Sequence, residues 1–169
     1  IERIVGYGVE KVSINSGAIK NPSLIETAAK RVGSQSIAVT IDVSFSKKEK
    51  RYIIYKQNGL TKTDLDLKDW IIKVQSLGAG EIIINSIDRD GTMQGYDLDL
   101  VDFTFNITNT PITLLGGAGS LDDIKDIIEK YKIIGAAAGS LFVFKGKYRA
   151  VLVNYPNSDE KNEIFINLN

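Results

Sequence analysis

The 169-residue chain contains no cysteine and no histidine, and only three prolines, one methionine and one tryptophan. Without cysteine there is no disulfide, thiolate nucleophile, Cys-ligated zinc or thiol redox switch. Without histidine the chain cannot build a Ser-His-Asp triad or a His-ligated metal site. No metal or cofactor is expected, and acid–base chemistry falls to carboxylates, lysine, tyrosine or a bound substrate. Charge of one sign is lacking too: 21 basic residues balance 21 acidic ones, and Glu49 interrupts the short cluster Lys47, Lys48, Lys50, Arg51. That balance leaves no footprint for nucleic acid. No apolar run approaches the roughly 20 residues of a membrane span, and no charged-then-apolar leader opens the sequence. The expectation is a cytoplasmic protein with neither nucleic acid nor membrane as partner.

What is present suits one globular domain, 43% hydrophobic and 25% charged, long enough to bury roughly 70% of its unfolded surface. Ile1 to Val5 reads as the last turns of a helix, and strands are expected over 9–14, 37–42, 81–85, 112–115 and 133–138. Between them, Asn21-Pro22 opens a helix that Gly33 stops. Leu67, Trp70, Ile71, Val74 and Leu77 fall at helical spacing, with Trp70 in the core. A further helix lies around 98–105, and Ser120 to Asp123 forms a capping box for another. Residues 50–56 suggest one arm of a hairpin ending near Asn58-Gly59. Residues 149–155 and 163–168 read as two extra strands or an extended tail.

Repeated strand–helix alternation means a parallel sheet with right-handed crossovers. It is either an open doubly wound sheet or part of a (β/α)8 barrel, since a complete barrel needs about 250 residues. The helix-first start suggests that N-terminal βα units precede this chain. Side chains on a strand alternate faces. Lys11, Ser13 and Asn15 share one face of the first strand, and Ala38, Thr40 and Asp42 share one face of the second. A sheet covered on both sides is usually apolar on both. A small, polar second face fits a barrel interior, or else an edge strand with one wet face. Asp42, at the C-terminal tip of its strand, stands where barrel enzymes place their chemistry, or caps a loop.

Two glycine turns follow the last two strands. Gly116-Gly117-Ala118-Gly119-Ser120 and Gly139-Ser140 can each offer bare backbone N–H groups to an anion. Barrel phosphate sites form at this position, although tight βα turns need glycine anyway. The polar loop from Ser86 to Thr92 lacks the spacing of a calcium loop and suits contact with substrate.

These segments, with Gly33-Ser34-Gln35, Gly78-Ala79-Gly80-Glu81-Ile82 and Gly95-Tyr96-Asp97, occur in an order and spacing that resembles the cyclase subunit family of imidazole glycerol phosphate synthase. The resemblance covers about residues 1–145, with 146–169 as an extended tail of the same domain. It implies an α/β fold, the (β/α)8 TIM barrel, with this chain supplying about the last five βα units, strands four to eight. It also implies histidine biosynthesis: a glutaminase partner in a heterodimer releases ammonia. The ammonia crosses the barrel and reacts with a ribulosyl aminoimidazole carboxamide nucleotide. The products are imidazole glycerol phosphate and an aminoimidazole carboxamide ribotide.

Two aspartates serve as general acid and base in that family. Asp42 matches the one on strand five, and the other lies on strand one, outside this chain. The chain alone is therefore expected to be inactive, whereas the complete protein would be a lyase of the cyclase type. Asn15 and Ser16 match one phosphate site, with Ser16 where the family usually has threonine. Gly91, Gly117, Gly139 and Ser140 match the second, beside Gly116. Asp90 and Thr92 match the substrate loop, and Lys11 and Glu81 match charges around the ammonia entrance. The tail from Phe144 to Pro156 instead resembles paralogues associated with surface-polysaccharide genes, which are thought to supply ammonia for acetamidino-sugar synthesis. A non-catalytic phosphate-binding scaffold is the reading from another class. An open barrel would leave strand edges exposed, and homodimerisation through them is expected.

Overall fold

Helices and strands alternate as the apolar spacing predicts. The computed structural model describes residues 1–132, 134–146 and 148–165. In chain order the elements are α1 (Glu2–Val5), β1 (Val12–Ile14), α2 (Ser16–Lys20), α3 (Ser23–Val32), β2 (Ile37–Ser46), β3 (Arg51–Lys56) and β4 (Thr61–Lys62). There follow α4 (Leu67–Ser76), β5 (Glu81–Ser86), α5 (Leu98–Phe105), β6 (Ile112–Leu115), α6 (Leu121–Tyr131) and β7 (Gly135–Ala136). The tail holds α7 (Ser140–Val143), β8 (Phe144–Lys145), β9 (Ala150–Val151) and α8 (Ser158–Phe165).

Strands β1, β2, β5, β6 and β7 are parallel neighbours in that order, joined through helices as in successive units of a (β/α)8 barrel. The long strand β2 is the hub. Its first residues pair with β1 and its last with β3, while β5 runs along its other edge. The antiparallel hairpin of β2 with β3 and the short β4 therefore grows from the C-terminal end of a barrel strand. Its far turn needs three left-handed residues, Gln57, Asn58 and Gly59, and Asn and Gly tolerate that conformation best.

Residues Ile37, Val39, Ile41, Ile82, Ile84, Ile112 and Leu114 form one face of the sheet and are buried under the helices. Helix α6 meets this face with Ile124, Ile127, Ile128 and Tyr131, the i, i+3, i+4, i+7 stripe of an amphipathic helix. Its start is fixed by the expected capping box: Asp123 N–H donates to Ser120 Oγ, and Ser120 N–H donates to Asp123 Oδ2. Asp66 and Asp97 cap α4 and α5 by accepting from Asp69 N–H and Leu100 N–H, without the reciprocal bond.

Several elements differ from the sequence reading. The first strand begins at Val12, because its pairing starts only where Val12 faces Ile37. Asn21 does not cap α3; its Oδ1 accepts the Ser23 hydroxyl, and the separate turn α2 lies before it. The second strand runs on to Ser46 because β3 prolongs its partner edge. The final barrel strand is confined to Gly135–Ala136, and Ile133 lies outside the described residues. The tail is not extended throughout. Within 149–155 only Ala150–Val151 is strand, and residues 163–165 belong to helix α8, with 166–168 outside the described residues. The cause is a second capping box: Glu160 N–H donates to Asn157 Oδ1, and Asn157 N–H donates to Glu160 Oε2.

Helix α8 packs on the rest through Ile164, which is buried in the common core. Ile164→Ala is expected to cost ~2–5 kcal/mol, read as a lower urea midpoint. An unchanged midpoint would mean that α8 does not dock.

Candidate active site

The second face of the sheet carries the polar residues, arranged in layers by the strand register. At the N-terminal ends of the strands, Lys11 forms an ion pair with Glu81, and Thr113 Oγ1 donates to the other Glu81 oxygen at 2.6 Å. Burial pushes the Glu81 carboxyl up, but the hydrogen bonds from Lys11 and Thr113 outweigh it and hold the group below its ordinary value of 4.5. In the middle, Ser13 Oγ and Thr40 Oγ1 share a hydrogen bond of 2.6 Å. At the C-terminal ends, Asp42 is buried between two amides: Asn15 Nδ2 donates to Oδ2 and Asn85 Nδ2 to Oδ1, each at 2.8 Å. The top and bottom layers are four residues apart along β2 and β5, about 13 Å.

Asn15, in the turn just after β1, and Asn85 on β5 therefore hold the β2 carboxylate in one orientation. Asn15 is also tied to the hairpin: Ser16 Oγ donates to Asn15 Oδ1 and accepts Gln57 N–H. Asn85 was not expected from sequence, where it merely ended an isoleucine-rich strand. Its signal was parity, since it shares a face with Glu81 two positions either side of Ile83. Its Oδ1 is buried without a partner among the described residues. Buried acceptors rarely stay unpaired.

A small cleft beside this group brings together Asp90, Gly91, Gly116, Gly117, Gly139 and Ser140. Thr92 does not line it; its Oγ1 donates to the Arg89 carbonyl instead. Asn15 and Ser16 stand apart, across Asp42. Tyr96 braces the cleft by donating to the Ala137 carbonyl at 2.9 Å; burial first, and the Asp123 charge second, push its phenol up and keep it a neutral donor. The N–H groups of Gly119 and Ser120 are already taken by Asp123. Those of Gly117, Ala118, Gly139 and Ser140, all on residues that line the cleft, have no partner among the described residues. Gly117 itself is structural: a Cβ there would lie 2.2 Å from the Gly95 carbonyl oxygen. Gly139 differs, because a Cβ there meets nothing within 4 Å. A larger cavity, about 600 Å³, lies between Phe45, Tyr52 and Phe103; Asp88 and Arg89 of the expected substrate loop reach its wall, but neither Asp42 nor the glycine turns do.

Residues 1–149 match the sequence model of a family described as histidine biosynthesis protein. The chain is 52% identical over 163 residues to a putative imidazole glycerol phosphate synthase subunit HisF of Leptospira borgpetersenii, covering 96% of this chain and 64% of the relative. The chain belongs to the HisF family. A HisF relative of Vibrio vulnificus, the putative subunit hisF3, is 48% identical over 96% of this chain and 62% of its own length. The imidazole glycerol phosphate synthase subunit HisF of Natranaerobius thermophilus is 40% identical over 92% and 61%. The chain thus spans just under two thirds of the length of these HisF relatives. Its fold agrees with that membership, as five parallel βα units of the barrel.

Two expectations test the layers independently. Because the Glu81 carboxyl is held low in the folded state, its contribution to stability is present above about pH 4.5 and is lost as pH falls below it. The difference in urea midpoint between the parent chain and Glu81→Gln should be largest near neutrality and vanish in acid; a gap independent of pH would contradict this. Gly139→Ala should leave the thermal midpoint unchanged but weaken binding of glycerol phosphate severalfold, measured by calorimetry. Equal affinity would remove Gly139 from the cradle.

Proposed function

We propose that the complete protein is the ammonia-using, cyclase-type barrel subunit of an imidazole glycerol phosphate synthase-like glutamine amidotransferase complex. The observation that supports this most is the Asp42 carboxylate, oriented by amides on both sides and facing the polar interior beside a cleft of free N–H groups. On this reading a glutaminase subunit releases ammonia at the Lys11–Glu81 end. The hydroxyl layer of Ser13 and Thr40 leads it past the apolar part of the interior. Asp42 moves protons at the C-terminal end, where general acid–base assistance is worth about 10²–10⁴-fold. Asn85 Oδ1 accepts an N–H of the incoming ammonia or of the substrate. A phosphorylated substrate is gripped at one end by Asn15 and Ser16 and at the other by Gly91, Gly116, Gly117, Gly139 and Ser140, with Asp90 and Thr92 in the adjoining loop.

Residues 1–169 contain one of the two aspartates that this chemistry uses, so this stretch alone is expected to be inactive. The outer edges of β1 and β7 have no strand partner among the described residues. Preceding βα units would cover them in a complete barrel, and a second copy would do so for this stretch by itself. No helix among the described residues is long and apolar enough to cross a membrane, and the proposed setting is the cytoplasm.

Of the two branches, we favour the one serving surface-polysaccharide amidino-sugar synthesis over histidine biosynthesis, because the segment from Phe144 to Pro156 resembles that branch. Ring closure with exogenous ammonia by the complete protein would instead assign the histidine pathway. Glutaminase stimulation without ring closure supports the sugar branch, and phosphate binding without either supports a scaffold. If the complete protein does cyclise, Asp42→Asn should lower kcat by about 10²-fold or more while substrate affinity changes little. Undiminished turnover would remove Asp42 from the chemistry.

A further inference from the structure

The loop from Ser86 to Gly95 is held between two anchors, and the first is a side chain that the function proposed above leaves unassigned. Along the β2–β5 ladder the backbone bonds run as far as Ile87 N–H, which donates to the Val43 carbonyl at 2.9 Å. The next rung of a parallel ladder would carry Phe45 N–H to the Ile87 carbonyl. Asp88 takes that rung instead: its Oδ2 accepts Phe45 N–H and its Oδ1 accepts the Ser44 hydroxyl, each at 2.8 Å. The carboxylate thus prolongs the sheet by one step after the backbone has turned away. A charged acceptor also makes each of these bonds stronger than a neutral one.

The second anchor is Gly95 N–H, which donates to the Gly117 carbonyl at 2.9 Å. Between the anchors, Arg89 N–H and Asp90 N–H both donate to the Ser86 carbonyl, at 3.1 and 3.0 Å, and Thr92 N–H donates to the Arg89 carbonyl at 3.0 Å. Gly91, Met93 and Gly95 are left-handed, and a non-glycine residue such as Met93 stays so only where its surroundings hold it. Asp90 and Gly91, the loop residues that line the glycine cleft, sit in this span. Arg149 adds a tie from the tail by donating to the Gly91 carbonyl at 2.8 Å.

On the hairpin side the loop adjoins open space rather than core, for Phe45, Asp88 and Arg89 all border the aromatic cavity. Polar bonds rather than apolar packing must therefore hold it there. The clasp joins β2 to the end of β5, the second and third of the five parallel strands, so it does not depend on what covers the outer edges of β1 and β7.

We propose that Asp88 is a positioning residue: by clasping Ser44 and Phe45 it fixes Asp90 and Gly91 in the wall of the cleft where a phosphate group is gripped. This rests on the phosphate reading of that cleft. It makes the end of β2, which does not itself line the cleft, part of the support of the site.

The test uses the complete protein, with glycerol phosphate as the probe. Calorimetry gives the affinity, and amide hydrogen exchange followed by NMR gives the order of the loop. Asp88→Ala, which removes both acceptors, should weaken glycerol phosphate binding severalfold and speed exchange at Asp90 and Thr92, while Ile82 and Ile84 keep their parent rates. Asp88→Asn, which keeps one acceptor oxygen, should recover part of both. Ser44→Ala should move both readouts in the same direction by less, and it decides the matter if Asp88→Ala does not fold. With a parent protein that binds, unchanged affinity in these variants would overturn the positioning role, whether or not the loop loosens. So would weaker binding accompanied by exchange quickened evenly through the sheet, the mark of a merely structural residue. A parent protein that does not bind glycerol phosphate overturns the phosphate reading itself, and the positioning role falls with it.

Discussion

A carboxylate taken out of water must be hydrogen-bonded, and the arrangement around Asp42 follows from that constraint. It is the one charged side chain buried among the described residues. An isolated buried charge would cost several kcal/mol. Its two oxygens are met by the amides of Asn15, directly after β1, and of Asn85 on β5, so β1, β2 and β5 must hold their register for the charge to be tolerated. A one-residue slip would turn Asp42 into the isoleucine-rich face and Ile41 out of it. The same group therefore fixes the sheet and is the one proposed to move protons.

The remaining polar groups are placed around this point by the parallel register. Glu81, four residues below Asn85 on β5, sits at the opposite end of the interior, where Lys11 compensates its burial. The glycine loops lie above, one following β6, whose Ile112 and Leu114 are buried, and the other following the half-buried β7. Rigid strands thus position groups that themselves sit on loops, the usual division of labour in barrels. The hairpin from β2 adds a second tie, through Gln57 N–H and Ser16, that no simple βα unit would require.

Much of this was legible in the sequence because local and long-range signals agreed. Leu98–Phe105, Ile112–Leu115 and the Ser120 capping box stand where cap chemistry and apolar spacing put them. The polar parity of Ser13, Thr40 and Asp42 foretold the interior face. Where the reading failed, two signals competed. Asn21-Pro22 looks like a helix start, but the Asn21 side chain is spent on Ser23. The β-rich composition of 163–168 concealed the cap at Asn157, although Asn-x-x-Glu was there to read. Asn85 escaped notice because an apolar run draws attention away from its last residue. Gly117 also makes room for the Gly95 carbonyl, a long-range contact that no local pattern contains.

The Asp42 group and the glycine cleft are proposed to form one site for a phosphorylated molecule. The most direct measurement is a ¹H–¹⁵N NMR titration with glycerol phosphate. The largest shifts are expected at the backbone N–H groups of Gly117, Ala118, Gly139 and Ser140, with smaller ones at the side-chain amides of Asn15 and Asn85. Shifts centred instead on Phe45, Tyr52 and Phe103, or scattered over surface lysines, would contradict it.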